Sequence, residues 1–585
     1  MDVVSTEEYL FTFGITLAFL GMLVFSYISR KSIRRALISA GIQKKYIVIA
    51  FFIMLAFVVI ELYTVKPTQQ LFFDDTIYQG MAQQLIHTGQ ASMCDYGTPT
   101  SCYIPQTFHE PIGTAFALGI MFMIFGVHLY TSYATELALS ALSVFLMFCV
   151  SALLLKNQKA GLFVESFFML APVLLVWAMP TTSDIPMLAF SLIAFFFMLI
   201  FKYEKNLATL ASLLFSISFL TYSKIDAVIY LILFPLIYAI IEEKNLKEDI
   251  KNTILSIKRN ILNEKLLILL LFFFISIIPE IGFAYSEYNT GSYGYENTKI
   301  FNACTNTMLN VTGKFGLQIF YTNICSNVYF WVNAYKSSYV MQPAIFTFIA
   351  IAGAIIMAAS KKKKLVFALG IWFATLFFVY TSFYAGSVIY GVDWRFMISL
   401  MPPFAIFGGY ALYSLFYYSG VIGERLEGKH LAFAFKLISI TVIIVLLAYP
   451  IYQLYPMLNI NPSDIAQAQG ARFYENFIYK NITKVPSNCL VLSFDPFFFN
   501  LNGLPAAQMY YIYNQSMYNY FKQKYSCIVL DYGYWCGTPS GTMCRDALSN
   551  TTYKILASSL DNKFNGYENF RFALYQIYEN KNLTK

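Results

Sequence analysis

Along most of this chain apolar residues come in unbroken runs instead of alternating with polar ones, and each run has roughly the 20 residues that a membrane-crossing helix needs. Residues 9–27, 46–64, 132–155 and 160–178 are early examples, and about a dozen such runs follow one another, parted by short charged or Gly/Pro-containing stretches. The pattern predicts an all-α polytopic membrane protein with about 12 transmembrane helices plus interfacial helices. From about residue 455 the runs shorten to strand length. Cys489 to Phe494 and Cys527 to Asp531 read as buried strands, Tyr553 to Ala557 and Phe570 to Ile577 add more, and Ser463 to Tyr479 has helical character. The expected division is a transmembrane domain over 1–455, with external loops 65–110 and 285–340, and a small extracytoplasmic α/β domain over 456–585.

Composition supports the membrane reading. Hydrophobic residues make up 58% of the 585 positions and charged residues only 12%, half the charge of an ordinary soluble chain. The formal net charge of +8 does not point to nucleic acid, because the lysines and arginines sit in short clusters between the runs.

Three markers orient the chain. Arg30 to Arg35 with Lys44 and Lys45, Lys156 with Lys159, Lys202 with Lys205, the 244–265 stretch and Lys361 to Lys364 are the basic clusters expected on the cytoplasmic side. The glycosylation sequons at Asn310, Asn481, Asn514, Asn550 and Asn582 then all fall outside. So do eight of the nine cysteines, in local groups: Cys94 with Cys102, Cys304 with Cys325, and Cys489, Cys527, Cys536 and Cys544. Four cysteines allow three pairings; we favour Cys536 with Cys544 and Cys489 with Cys527, since the latter two open similar strand-like runs. Cys149 lies in a span as a small apolar residue. For these markers to agree, one of the runs 111–127 and 132–155 must not cross. The glycine-containing 111–127 run is marginal in length and is assigned as an interfacial or re-entrant helix.

This parity collects polar residues on one face: Asp74 and Asp75 beyond the second span, His109-Glu110-Pro111, Thr182-Ser183-Asp184, Lys224 with Asp226, Glu280, Glu287, and Asp393-Trp394-Arg395. Charges at a membrane boundary cost free energy unless they meet water, a counter-ion or a substrate, so the set describes a cavity for a polar group carried on a lipid. Plainer roles exist for each. Asp74 could cap a helix, Asp184 could cap the next span, Lys224 could snorkel beside Asp226, and Arg395 could snorkel at a span end.

An acidic pair in a long first external loop, then Phe108-His109-Glu110-Pro111-Ile112-Gly113, then Thr182-Ser183-Asp184-Ile185-Pro186-Met187, resembles the GT-C superfamily of membrane glycosyltransferases, nearest the protein O-mannosyltransferase-like and ArnT-like branch. Tyr222-Ser223-Lys224, the Tyr288 to Gly291 loop and Trp394-Arg395-Phe396 before Met401-Pro402-Pro403 are similar to later signatures of that group, and the resemblance spans about residues 46–455. The chain departs from the pattern at Glu110, where a second proline is usual, at Asp75, where Glu is frequent, and in its extra leading span. Asp531-Tyr532-Gly533-Tyr534-Trp535 partly matches the sequon-reading motif of oligosaccharyltransferases but lacks its leading tryptophans.

The resemblance implies transfer of a sugar from a polyprenyl-phosphate (dolichyl-phosphate) donor to a protein, glycan or lipid acceptor on the extracytoplasmic face of a cell membrane or the lumenal face of the endoplasmic reticulum. It assigns Asp75 or Asp74 as the base that deprotonates the acceptor hydroxyl. Arg395 and Lys224 would hold the leaving phosphate, and Asp184, His109 and Glu110 would orient substrate or base. If a divalent cation, Mg²⁺ or Mn²⁺, takes part, Asp74 and Asp75 are its candidate ligands. Two other readings compete. An oligosaccharyltransferase-like enzyme would use a lipid-linked oligosaccharide, and a lipid-glycan flippase or transporter would show inverted repeats and midplane charges.

Overall fold

The computed structural model describes residues 3–64, 74–90, 92–107, 111–242, 264–290, 298–332, 342–384, 386–388, 392–427, 429–458, 474, 477–533, 536, 542–561 and 570–580. Among these, eight helices are long and apolar enough to cross a membrane, including Tyr9–Ile28, Lys44–Tyr63, Leu129–Leu155, Asp184–Tyr203 and Trp394–Arg425. Four shorter apolar helices, Gly113–Phe125, Leu207–Thr221, Ile225–Ile241 and Ala344–Ala359, join them. The helices that matter for the site are, in order, α1 (Val3–Ile28), α2 (Arg30–Ser39), α3 (Lys44–Thr64), α4 (Asp74–Thr88), α5 (Gly113–Phe125), α6 (Leu129–Leu155), α7 (Gln158–Met169), α8 (Pro172–Trp177), α9 (Asp184–Tyr203), α10 (Leu207–Thr221) and α11 (Tyr230–Ile241).

Local chemistry explains several boundaries. The run read as one span over 160–178 is broken into α7 and α8, because Pro172 has no N–H to continue a helix and instead starts a new one at its first turn. Gly126 ends α5 with φ +87°, a conformation that glycine adopts without strain, and the chain turns directly into α6. Asn206 caps α10, with a reciprocal bond from its backbone N–H to Thr209. α9 is buried along almost its whole length, with Ile185, Met187, Leu188, Leu192 and Phe195 fully enclosed, whereas α3 and the helix Glu264–Thr290 expose Phe52, Leu62, Leu271 and Ile278 on outward faces. Apolar side chains on those faces are what a lipid-facing surface requires.

The C-terminal region is sheet-containing, as the shortened runs predict, but its sheet is larger than they imply. Seven strands run in the order β2-β1-β6-β5-β7-β9-β8, where β1 (Ser92–Thr98) and β2 (Ser101–Thr107) belong to the first external loop and β5 (Cys489–Ser493), β6 (Ala506–Gln508), β7 (Cys527–Tyr532), β8 (Thr551–Asp561) and β9 (Phe570–Asn580) to the C-terminal region. A separate hairpin pairs β3 (Thr298–Asn302) with β4 (Thr307–Val311). The loop-1 hairpin joins through Tyr96 and Gly97 opposite Ala507 and Ala506. Part of the segment read as belonging to the membrane domain is therefore built into the C-terminal sheet. Most of the expected helix over 463–479 lies outside the described residues.

The cysteines close as Cys94–Cys102, Cys304–Cys325, Cys489–Cys527 and Cys536–Cys544, with Cys149 free and buried. Cys489 and Cys527 stand opposite each other at the start of the parallel pair β5 and β7, which is why two similar runs opening on cysteine pair with each other. Of the sequon asparagines, Asn310 and Asn514 are exposed, Asn481 and Asn550 are half-buried, and Asn582 lies outside the described residues.

Candidate functional site

Segments far apart in sequence meet where α4, α6 and α9 begin. Asp184 is the first residue of α9 and is fully buried. It does not cap that helix; Ser183 precedes it, without a side-chain cap bond. Its carboxylate instead takes two cations. Lys224 Nζ donates to Oδ1 at 2.7 Å and Arg395 Nε lies 3.5 Å from Oδ2. Lys224 comes from the turn after α10 and Arg395 from the 3₁₀ segment Val392–Leu400. Asp226, the partner expected for Lys224, is the more distant one at 4.0 Å. A carboxylate held this far from water is destabilised by several kcal/mol unless cations and hydrogen bonds offset the loss, so the three residues form one electrostatic unit. The Lys224 ammonium also sits 4.3 Å above the Phe396 ring and 5.0 Å above that of Tyr380, where the ring faces are attractive to a cation.

Asp75 lies in the first turn of α4 and is fully buried. One turn on, the Gln79 amide reaches Thr181 Oγ1 at 3.4 Å, and Thr181 leads through Thr182 and Ser183 into Asp184. This contact brings the Asp75 face of α4 against the segment that carries the cation cluster. Glu136, on α6, is 2% exposed and lies within electrostatic reach of both Asp75 and Asp184.

Gly113 accounts for the glycine of the His-x-Pro-x-Gly stretch. Its N–H donates to the Tyr222 carbonyl at 2.6 Å, and a Cβ there would stand 2.4 Å from that oxygen. Only glycine lets α5 start this close to the turn that presents Lys224. Tyr222 is fixed in turn by its hydroxyl, which donates to the Ser276 carbonyl at 2.6 Å.

The C-terminal region rests on α4. The Thr76 side chain hydrogen-bonds Asp495, and the Phe497 ring lies 3.4 Å from where a Cβ on Gly80 would be. Asp495 follows β5, and Asp531 stands near the end of the adjacent parallel strand β7. The Tyr474 hydroxyl donates to Asp531, as does Ser493 Oγ at 2.8 Å. Burial pushes the Asp495 and Asp531 carboxyls up to about 7.

Of the residues singled out in the sequence, Asp184, Lys224 and Arg395 are brought into direct contact and Asp75 faces the same region. The side chain of Asp74, and residues His109 and Glu110, lie outside the described residues, as do the side chains of Glu287 and Asp393. Glu280 is buried on another helix, near Tyr222. Sequence reasoning passed over Glu136, Gln79 and Thr181. Glu136 had a readable signal, a lone carboxylate inside an apolar run; Gln79 and Thr181 had none. Among the described residues no three His, Cys, Asp or Glu side chains converge in a way that could hold a metal ion.

Residues 109–276 match the family described as dolichyl-phosphate-mannose-protein mannosyltransferase, a stretch that contains Glu136, Asp184 and Lys224 and covers well under half of the chain. No curated protein matches the sequence. Among solved structures, ArnT from Cupriavidus metallidurans in the apo state is similar with a TM-score of 0.51 at 12% identity, covering 91% of this chain and 98% of that one. The same protein bound to undecaprenyl phosphate gives 0.49 at 13% identity, with the same coverage. The apo oligosaccharyltransferase of Archaeoglobus fulgidus gives 0.49 at 11% identity, covering 87% of this chain and 72% of that one. At such identities the likeness to ArnT speaks for the fold, and that fold is the one the sequence motifs imply.

Proposed function

We propose that this membrane protein, a GT-C glycosyltransferase of the protein O-mannosyltransferase and ArnT-like type, moves a sugar from a polyprenyl-phosphate donor to an acceptor hydroxyl on its extracytoplasmic face. The observation that carries this reading is the cluster of the buried Asp184 with the half-buried Lys224 and Arg395, in the same region as the buried Asp75. The cluster offers cations for a phosphate, and Asp75 offers a carboxylate for a proton. The outward orientation is supported by the sequons and cysteines that share one side of the chain, opposite the basic clusters.

In this mechanism Asp75 accepts the proton of the acceptor hydroxyl as its oxygen bonds to the anomeric carbon. The bond from that carbon to the phosphate oxygen breaks, and its electron pair leaves with the polyprenyl phosphate. Arg395 and Lys224 hold the phosphate as its charge grows, in a low-dielectric setting where such contacts are strong. Asp184 keeps both cations in place between turnovers. Attack and departure on opposite sides of the ring give inversion.

The test is release of free polyprenyl phosphate from lipid-phosphate sugars by the purified chain in lipid, with Asp75→Asn as control and a chelator in a parallel lane. Release should fall roughly 10²–10⁴-fold in the variant, the usual contribution of a positioned base. Equal release by variant and wild type would remove Asp75 from the chemistry, and loss of release on chelation would add a divalent cation to it.

A further inference from the structure

The proposed mechanism gives no task to several buried carboxylates, Glu61, Glu165 and Glu280 among them; Glu136 differs from these three in lying within electrostatic reach of both Asp75 and Asp184. Glu136 lies two turns into α6, is 2% exposed, and its Oε2 has no hydrogen-bond partner among the described residues. Four residues earlier, on the same face of the helix, Ser132 is fully buried and its Oγ is likewise unpartnered. Buried polar atoms are satisfied almost everywhere in folded proteins, so an orphaned pair on one helical stripe points to a ligand that completes it. Among the described residues no ion pair reaches Glu136: the charges it feels are those of Asp75 and Asp184, and Lys224 and Arg395 are already engaged with Asp184.

The nature of the ligand follows from where Glu136 stands. In an in-line displacement the transferred ring lies between the attacking hydroxyl, which is held at Asp75, and the departing phosphate, which is held at Lys224 and Arg395. A group within reach of both Asp75 and Asp184 therefore flanks the ring. A carboxyl group offers a phosphate none of the positive charge that Lys224 and Arg395 supply, but it accepts hydrogen bonds from hydroxyls, and a sugar ring is the part of the donor that supplies them. We propose that Glu136 is a binding residue for the transferred sugar, its free oxygen accepting a hydrogen bond from a ring hydroxyl, with Ser132 as a second contact on the same side. This assignment rests on the donor reading given above and adds to it which part of the donor each group of residues recognises.

The experiment compares affinity for a sugar-bearing donor with affinity for the same lipid without its sugar. Wild type, Glu136→Ala, Glu136→Gln and Arg395→Ala are purified as full chains in lipid, and their binding of dolichyl-phosphate-mannose, dolichyl-phosphate-glucose and bare dolichyl phosphate is measured at equilibrium. In Glu136→Ala the preferred sugar donor should bind roughly tenfold more weakly, the upper scale of one ordinary hydrogen bond, while bare dolichyl phosphate binds as in wild type. Glu136→Gln, which keeps a carbonyl acceptor, should recover part of the difference, and Arg395→Ala should weaken all three lipids together. The inference is overturned if Glu136→Ala binds donor and bare phosphate with unchanged affinities, or weakens both by the same factor, which is what a merely structural glutamate would do. Because the readout is binding, the outcomes separate. Wild type that binds these lipids without releasing phosphate from them fails the transfer reading alone, while wild type that gains nothing from either sugar fails the Glu136 assignment.

Discussion

The Asp531 carboxyl gives the most quantitative prediction. It lies 3% exposed near the end of β7, hydrogen-bonded by Tyr474 and Ser493, and burial raises it from 3.8 to about 7. A raised acid is one whose folded state binds its proton more tightly than the unfolded state. In the window between about 4 and 7 the unfolded chain has released the proton while the folded chain keeps it. Stability from this group is therefore fully present below about pH 4, falls as pH rises through the window, and is lost above pH 7. A change from 3.8 to about 7 corresponds to roughly 4 kcal/mol over the full window, at about 1.4 kcal/mol per tenfold change in proton concentration. Between pH 5 and 7.5 the expected loss is roughly 3 kcal/mol. Asp495 shifts in the same direction and feels the Asp531 charge, so the two titrate as a pair and the slope belongs to both. Native-state hydrogen exchange on the amides of β5 and β7 in the purified full chain, corrected for intrinsic rates, reads the opening free energy directly. Wild type should open more easily as pH rises, and Asp531→Asn, with no proton to lose and a carbonyl that still accepts from Tyr474 or Ser493, should reduce the slope to the part that Asp495 contributes. A profile that is flat in wild type, or that rises with pH, would refute the reasoning.

Other outcomes follow from the same geometry. Asp184→Ala leaves Lys224 and Arg395 without their shared partner and should cost roughly 3–5 kcal/mol in melting experiments, along with most of the transfer activity. Asp184→Asn should keep more of the stability than of the activity, and equal losses in both variants would argue against an electrostatic role. Gly113→Ala places a methyl 2.4 Å from the Tyr222 carbonyl, so α5 must move; reduced phosphate release with little change in apolar packing is expected, and wild-type activity would show that the close approach is dispensable. Reduction of Cys489–Cys527, which closes a separation of 38 residues, should lower the stability of the C-terminal sheet by roughly 2–4 kcal/mol, seen as faster exchange in β5 and β7 and not in α9.

Much of this protein was legible in its sequence because the rules that govern it are local or nearly so. A membrane interior forces backbone groups to pair within each segment, so the fold class follows from run length, although eight helices among the described residues, and not about 12, are long and apolar enough to cross; the motifs Thr182-Ser183-Asp184 and Trp394-Arg395-Phe396 point to the fold that the likeness to ArnT supports. Asp184, Lys224 and Arg395 stood out because charges at the ends of apolar runs need a reason to be there. Which of them touch, however, is a property of three separate turns brought together by packing. Lys224 has Asp226 two residues away, and only the fold sets it closer to Asp184. The break in the 160–178 run was signalled by Pro172, yet its consequence, a segment led past Gln79 and into the cluster, was not. Nor did the sequence reveal that a hairpin from the first external loop completes the C-terminal sheet, since strand pairing across some 400 residues leaves no local trace. The sequence by itself determined which segments are apolar enough to form helices suited to a membrane and which residue types stand at their ends, because solvation free energy acts on each segment alone. The tertiary structure decided the partners: that Glu136 faces Asp75 and Asp184 and that Asp495 bonds to Thr76, because such contacts depend on the relative positions of whole helices, which packing alone sets.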